Sequence, residues 1–174
     1  GLIEIATGTT SDGATGAVTL KSGAASGSTK ASGQVSISSG NAGAGNTGSV
    51  EIVSGASTGG AAGAIKLAVG DDDSASGGAI TITAGLTTST TTTHKGGDIH
   101  ITGGKQNAGS GDGADGGSIA VTGGVSAKAT GGALTFTSGK GTATSSGAIT
   151  MKTDVGGVQG VSGKIDVQTG STTN

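Results

Sequence analysis

The sequence predicts an all-β fold, a parallel β-solenoid (β-helix) of about eleven windings with a base period of 15 residues and a thin cross-section. Three observations predict it: a glycine followed by apolar residues two and four positions later recurs eleven times, those positions hold most of the large side chains, and almost everything between them is small. The opening glycines are Gly1, Gly16, Gly33, Gly48, Gly63, Gly78, Gly97, Gly117, Gly132, Gly147 and Gly163, at spacings of 15, 17, 15, 15, 15, 19, 20, 15, 15 and 16. Self-similarity at a fixed period of this size marks repeat architectures.

The first apolar column reads Ile3, Val18, Val35, Val50, Ile65, Ile80, Ile99, Ile119, Leu134, Ile149 and Ile165. The second reads Ile5, Leu20, Ile37, Ile52, Leu67, Ile82, Ile101, Val121, Phe136, Met151 and Val167. Together they hold 22 of the 30 Ile, Val, Leu, Met and Phe residues. Apolar residues two apart, mostly β-branched, fit a strand with one covered face, because successive side chains point to opposite sides. The two columns are therefore the expected core ladder.

A glycine follows seven positions after the first in ten of the eleven repeats, at Gly8, Gly23, Gly40, Gly55, Gly70, Gly85, Gly104, Gly124, Gly139 and Gly170, with Asp154 as the exception. Asp also tolerates turn geometry. The return half that follows is built almost wholly of Gly, Ala, Ser, Thr, Asn and Asp. Fifteen residues leave no room for a strand, a packed helix and two connections, but suit one winding of a stacked solenoid. Two aliphatic side chains per winding fall short of the entropy of ordering fifteen backbones, so stability has to come from neighbouring windings.

The composition excludes other classes. Of 174 residues, 114 are Gly, Ala, Ser or Thr, with one Phe and no Trp, Tyr, Cys, Pro or Arg, too little bulk for one round core. The glycines do not recur every third residue and proline is absent, which excludes collagen. No apolar run reaches membrane-spanning length. A net charge of −2 offers no basic surface to nucleic acid. Without cysteine there are no disulfides or thiolate metal ligands.

The whole chain, 1–174, reads as a single repeat domain, with loop insertions at about 86–96 and 105–116 where two consecutive return halves are longer. Insertions in solenoids loop outward and are either tolerated bulges or specialised contacts. The first carries Thr87, Thr88, Thr90, Thr91, Thr92 and Thr93 around Ser89 and ends at His94, a hydroxyl run suited to O-glycosylation and equally to an unmodified loop. The second carries the string from Gly111 to Gly117, similar to the Gly/Asp nonapeptides that bind calcium between β-roll windings. Such sites need tandem copies, which this string lacks, so no metal or other cofactor is expected. Asp71, Asp72 and Asp73 fit a solvated turn.

Catalytic constellations are missing, and the chain is expected not to be an enzyme. His94 and His100 are the only histidines, and His100 lies between Ile99 and Ile101, pointing outward. Glu4 and Glu51 sit three windings apart, roughly 14 Å at the strand spacing and too far for paired glycosidase carboxylates. Outward threonines Thr81, Thr83, Thr102, Thr122, Thr135 and Thr137 are similar to the rows of ice-binding proteins, but charged residues interrupt the face and threonine is in any case a good solvent-facing strand residue. Aromatic platforms for sugar stacking are lacking.

The strings GGAITITAG, GGSIAVTGG, GKGTATSSGAITM and GVSGKIDVQTGSTT resemble tandem Gly/Ser/Thr-rich repeats of long secreted or surface proteins of microalgae, particularly stramenopiles, and similar strings occur in virion and tail-fibre proteins. The resemblance covers essentially the whole chain. It implies extracellular or cell-surface, structural use and supplies no catalytic residues. Both ends lack a polar cap, so the expected partner is another copy stacked end to end, or a longer repeat chain, with glycans as further partners and neither nucleic acid nor a membrane span. The expected function is an extracellular structural β-solenoid in a filament or surface fibre; the alternative is an ice-binding (antifreeze) protein.

Overall fold

The computed structural model describes residues 1–27, 29–73, 75–91, 93–107 and 114–171. The chain divides into two units, Gly1–Ile82 and Thr83–Asn174. Among the described residues there is neither helix nor strand, and this overturns the parallel β-solenoid of eleven windings. No described residue is buried, so the 22 residues from Ile3 and Ile5 through Ile165 and Val167 form no interior ladder.

The reason lies in how consecutive repeats meet. The N–H of Gly97 donates to the carbonyl of Gly85 at 2.9 Å, Gly117 to Gly104 at 2.8 Å, Gly132 to Gly124 at 2.8 Å, and Gly147 to Gly139 at 3.0 Å. Each bond ties the glycine that ends one aliphatic stretch to the glycine that opens the next. In a stacked solenoid the backbone bonds join equivalent residues of adjacent windings; these four join tail to head, and no ladder runs between stretches among the described residues. Seven backbone-to-backbone hydrogen bonds are present among the described residues, where a folded domain has roughly one hydrogen bond per residue, about two-thirds of them between backbones.

The junctions nevertheless give several repeats a graded environment. The residue six positions after the opening glycine is half-covered at Ser22, Ser39, Ala84, Gly103, Gly123 and Ser138, six of the eight half-covered residues described. It lies against the next repeat's opening glycine: the Ala84 methyl approaches Gly97, the Ser138 Cβ approaches Gly147 and a Val69 methyl approaches Gly78. A Cβ on Gly103 would meet the Gly117 carbonyl and, at 3.8 Å, the Ile119 side chain. Through Ile119 this contact reaches the first aliphatic column. After Ile3 its members are 46–60% exposed, against 59–84% for the second column.

Glycine serves these junctions by its lack of a side chain. No described glycine has a positive φ, so left-handed backbone is not the requirement. At Gly103 and Gly123 a Cβ would collide with the carbonyls of Gly117 and Gly132.

The return halves bend at one recurring place, 11–13, 43–45, 58–60, 127–129 and 142–144, ten to twelve residues after the opening glycine. A polar side chain just before the bend builds it in several repeats. Ser57 Oγ accepts from the Gly60 N–H at 3.0 Å, Ser126 Oγ from Ala129 at 3.0 Å and Asp72 Oδ1 from Ala75 at 2.6 Å. Thr10 Oγ1 accepts from Asp12 at 3.3 Å and Thr87 Oγ1 from Ser89 at 3.2 Å. All five occupy the ninth position after their opening glycine. Short hydroxyl and carboxylate side chains offer the backbone such local partners, which favours turns over regular ladders.

Candidate functional site

Among the described residues, the densest set of polar side-chain interactions lies in and beside the longer return half at 86–96. The Gly97 to Gly85 bond closes this loop at its base. Inside it, Ser89 is the hub: its backbone N–H donates to Thr87 Oγ1, and its Oγ accepts from the Thr91 N–H at 3.2 Å and lies 2.8 Å from His94 Nδ1. The His94 N–H donates to the Thr91 carbonyl at 3.2 Å. A run of hydroxyl residues thus folds on itself, with the histidine as its far anchor.

Beside the loop base, Lys95 Nζ donates to Asp98 Oδ2 at 2.6 Å, and His100 Nε2 lies 3.9 Å from the same oxygen. These side chains are 78%, 50% and 84% exposed. Water surrounds the cluster and screens its charges, so it positions the loop base weakly. Further along the chain, Lys164 Nζ and Gln168 Nε2 each donate to Asp166 at 2.6 Å, and the Lys164 ammonium first, then the Gln168 amide, hold that carboxyl below the ordinary aspartate range.

Nucleophilic catalysis needs a base held by a third group and donors aimed at a developing oxyanion. Ser89 and His94 supply the first contact only. No hydrogen bond or ion pair between a carboxylate and the His94 ring is found among the described residues, and Asp98 engages Lys95 and His100 instead. No cluster of three His, Asp or Glu side chains able to hold a metal occurs among the described residues. The string from Gly111 to Gly117 falls partly outside them, through Asp112 and its neighbours.

The other residues singled out in the sequence are dispersed. Thr88, Thr90, Thr91 and Thr93 are exposed, Thr87 is half-covered, and Thr92 lies outside the described residues. Thr81, Thr83, Thr102, Thr122, Thr135 and Thr137 are exposed, with no ladder to fix their spacing as an array. No helix among the described residues is long and apolar enough to cross a membrane. The periodic covering at the sixth position and the turn-forming oxygens at the ninth were missed by a reading that followed large apolar residues. Their signal was a sixth residue that is Gly, Ala, Ser or Thr in every repeat but the one with Val69, and a Thr, Ser or Asp at the ninth in several repeats.

Family models, curated proteins and solved structures contain no match to the chain.

Proposed function

We propose that the chain is a non-enzymatic, repetitive structural protein of the extracellular space or cell surface, belonging to a filament or fibre built by association of its repeats. The observation that carries this reading is the exposure of the aliphatic pairs repeat after repeat, from Leu20 at 73% to Met151 at 68%. A sequence that sets two large residues at the same place in every repeat and leaves them uncovered presents a recurring apolar surface for association. Association here runs through the repeats, since a chain without stacked windings has no solenoid ends to join.

The resemblance of the Gly/Ser/Thr-rich strings to those of secreted and surface repeat proteins supports the extracellular assignment, and the hydroxyl loop at 86–96 would face solvent as a site for glycans. Electron microscopy and sedimentation velocity of the purified chain over a range of concentrations test the reading. Filaments or a rising sedimentation coefficient are expected. Dispersed monomers at every concentration would refute it.

A further inference from the structure

The chain exposes 16901 Å². A compact monomer of 15.7 kDa exposes roughly 7,300 Å², and an unfolded one about 23,000 Å². The lone chain therefore removes only about a quarter of its unfolded surface from water, against nearly 70% for an ordinary domain of this size. The uncovered surface is open to a partner, and it far exceeds the roughly 1,600 Å² of a standard interface.

We propose that this partner is a second copy of the chain, laid parallel and in register along the Thr83–Asn174 unit, so that each aliphatic residue meets its own counterpart and backbone pairs with backbone between copies. This deepens the structural reading above and rests on it. The period chooses the partner. Ile99 and Ile101, Ile119 and Val121, and Leu134 and Phe136 are set at repeat spacings of 20 and 15 residues, an irregular sequence of intervals. A surface that matches both intervals is the same surface on another copy.

Register follows from the loops. A slip of one repeat would set the longer return half at 105–116 opposite a shorter one at 125–131, whereas the unshifted alignment places every loop beside its equal. The backbone allows the pairing, because few of its groups bond one another among the described residues, and edge-like N–H and C=O groups template another strand. Absence of proline and a net charge of only −2 remove two of the usual obstacles to such stacking, while the 40 glycines remain as a third.

Three preparations test the proposal: the wild-type chain, Ile101→Lys and Ile101→Asp, each followed by sedimentation and by far-ultraviolet circular dichroism as concentration rises. Wild type is expected to gain strand signal as it assembles. Each variant alone is expected to need roughly tenfold more protein, since like charges then face each other. An equimolar mixture of the two variants is expected to recover assembly, because the introduced ammonium of one copy would meet the introduced carboxylate of the next.

Assembly of wild type with both single variants equally competent would overturn this inference and leave the structural role standing. Failure of the mixture to recover would overturn the in-register pairing. A wild type that never assembles would remove the structural role itself.

Discussion

The Gly117 N–H donates to the carbonyl of Gly104 at 2.8 Å across the return half at 105–116, and the Gly132 N–H makes the same bond to Gly124, also at 2.8 Å, across the shorter one at 125–131. Return halves of different length hang from one fixed closure. The closure is therefore a property of the two glycines and their neighbours, and loop length is free to vary above it.

A methyl group at the pinch should open it. Gly103→Ala and Gly123→Ala place a Cβ against the carbonyls of Gly117 and Gly132, whereas Gly124→Ala and Gly139→Ala meet nothing within 4 Å. Hydrogen exchange at the Gly117 and Gly132 amides is expected to accelerate several-fold in the first pair, consistent with the loss of one hydrogen bond of about 1 kcal/mol. Unchanged exchange in Gly103→Ala would show that the closure does not depend on that approach.

Where the ninth residue carries a hydroxyl acceptor, the bend depends on it. Ser126→Ala removes the acceptor of the Ala129 N–H, and Ser57→Ala that of Gly60. Each loss should cost at most about 1 kcal/mol locally, because the freed N–H is exposed and water replaces the hydroxyl. Faster exchange confined to Ala129 in the first variant and to Gly60 in the second is the expected result, and Ser→Thr at either position should restore protection.

Much of the repeat was legible in the sequence, and the stacking was not. The spacing of Ile80 and Ile82, or Ile119 and Val121, states where large side chains recur, but periodicity alone gives no direction in which successive stretches meet. A parallel ladder needs enough covered side chain to order each winding, and two aliphatic residues in a fifteen-residue repeat do not cover one another: Ile101 stays 71% exposed. Ser89 and His94 were visible as residue types near each other in sequence; their 2.8 Å contact depends on the turn that Thr87 and Thr91 make around Ser89.

Acid should release Asp166. Its carboxyl is held below the ordinary range by Lys164 and then Gln168. A carboxylate with a depressed value stabilises the structure that holds it above its free value and loses that contribution as pH falls through the depressed one. The group is exposed, so the effect is local. Carbon-detected titration should place Asp166 below the ordinary aspartate range, and Lys164→Met should move it upward; an unmoved midpoint would separate the shift from the ammonium group.

Glycan attachment, if the chain passes through a secretory pathway that adds it, should follow hydroxyl availability within the 86–96 loop. Thr87 Oγ1 accepts from the Ser89 N–H, and Ser89 Oγ is engaged by His94 and Thr91, whereas Thr88, Thr90 and Thr93 are exposed and form no hydrogen bond through their hydroxyls among the described residues. A transferase needs a hydroxyl that can leave its local partners, and bulky sugars are accommodated at the surface. Glycopeptide mass spectrometry after secretion from a eukaryotic host is expected to find hexose-type additions on Thr88, Thr90 and Thr93 ahead of Thr87 and Ser89. Replacing those three threonines by alanine should abolish most of the added mass while leaving the Gly97 to Gly85 closure intact. Modification concentrated on Ser89 would instead mean that its contacts with His94 and Thr91 do not hold the loop in solution.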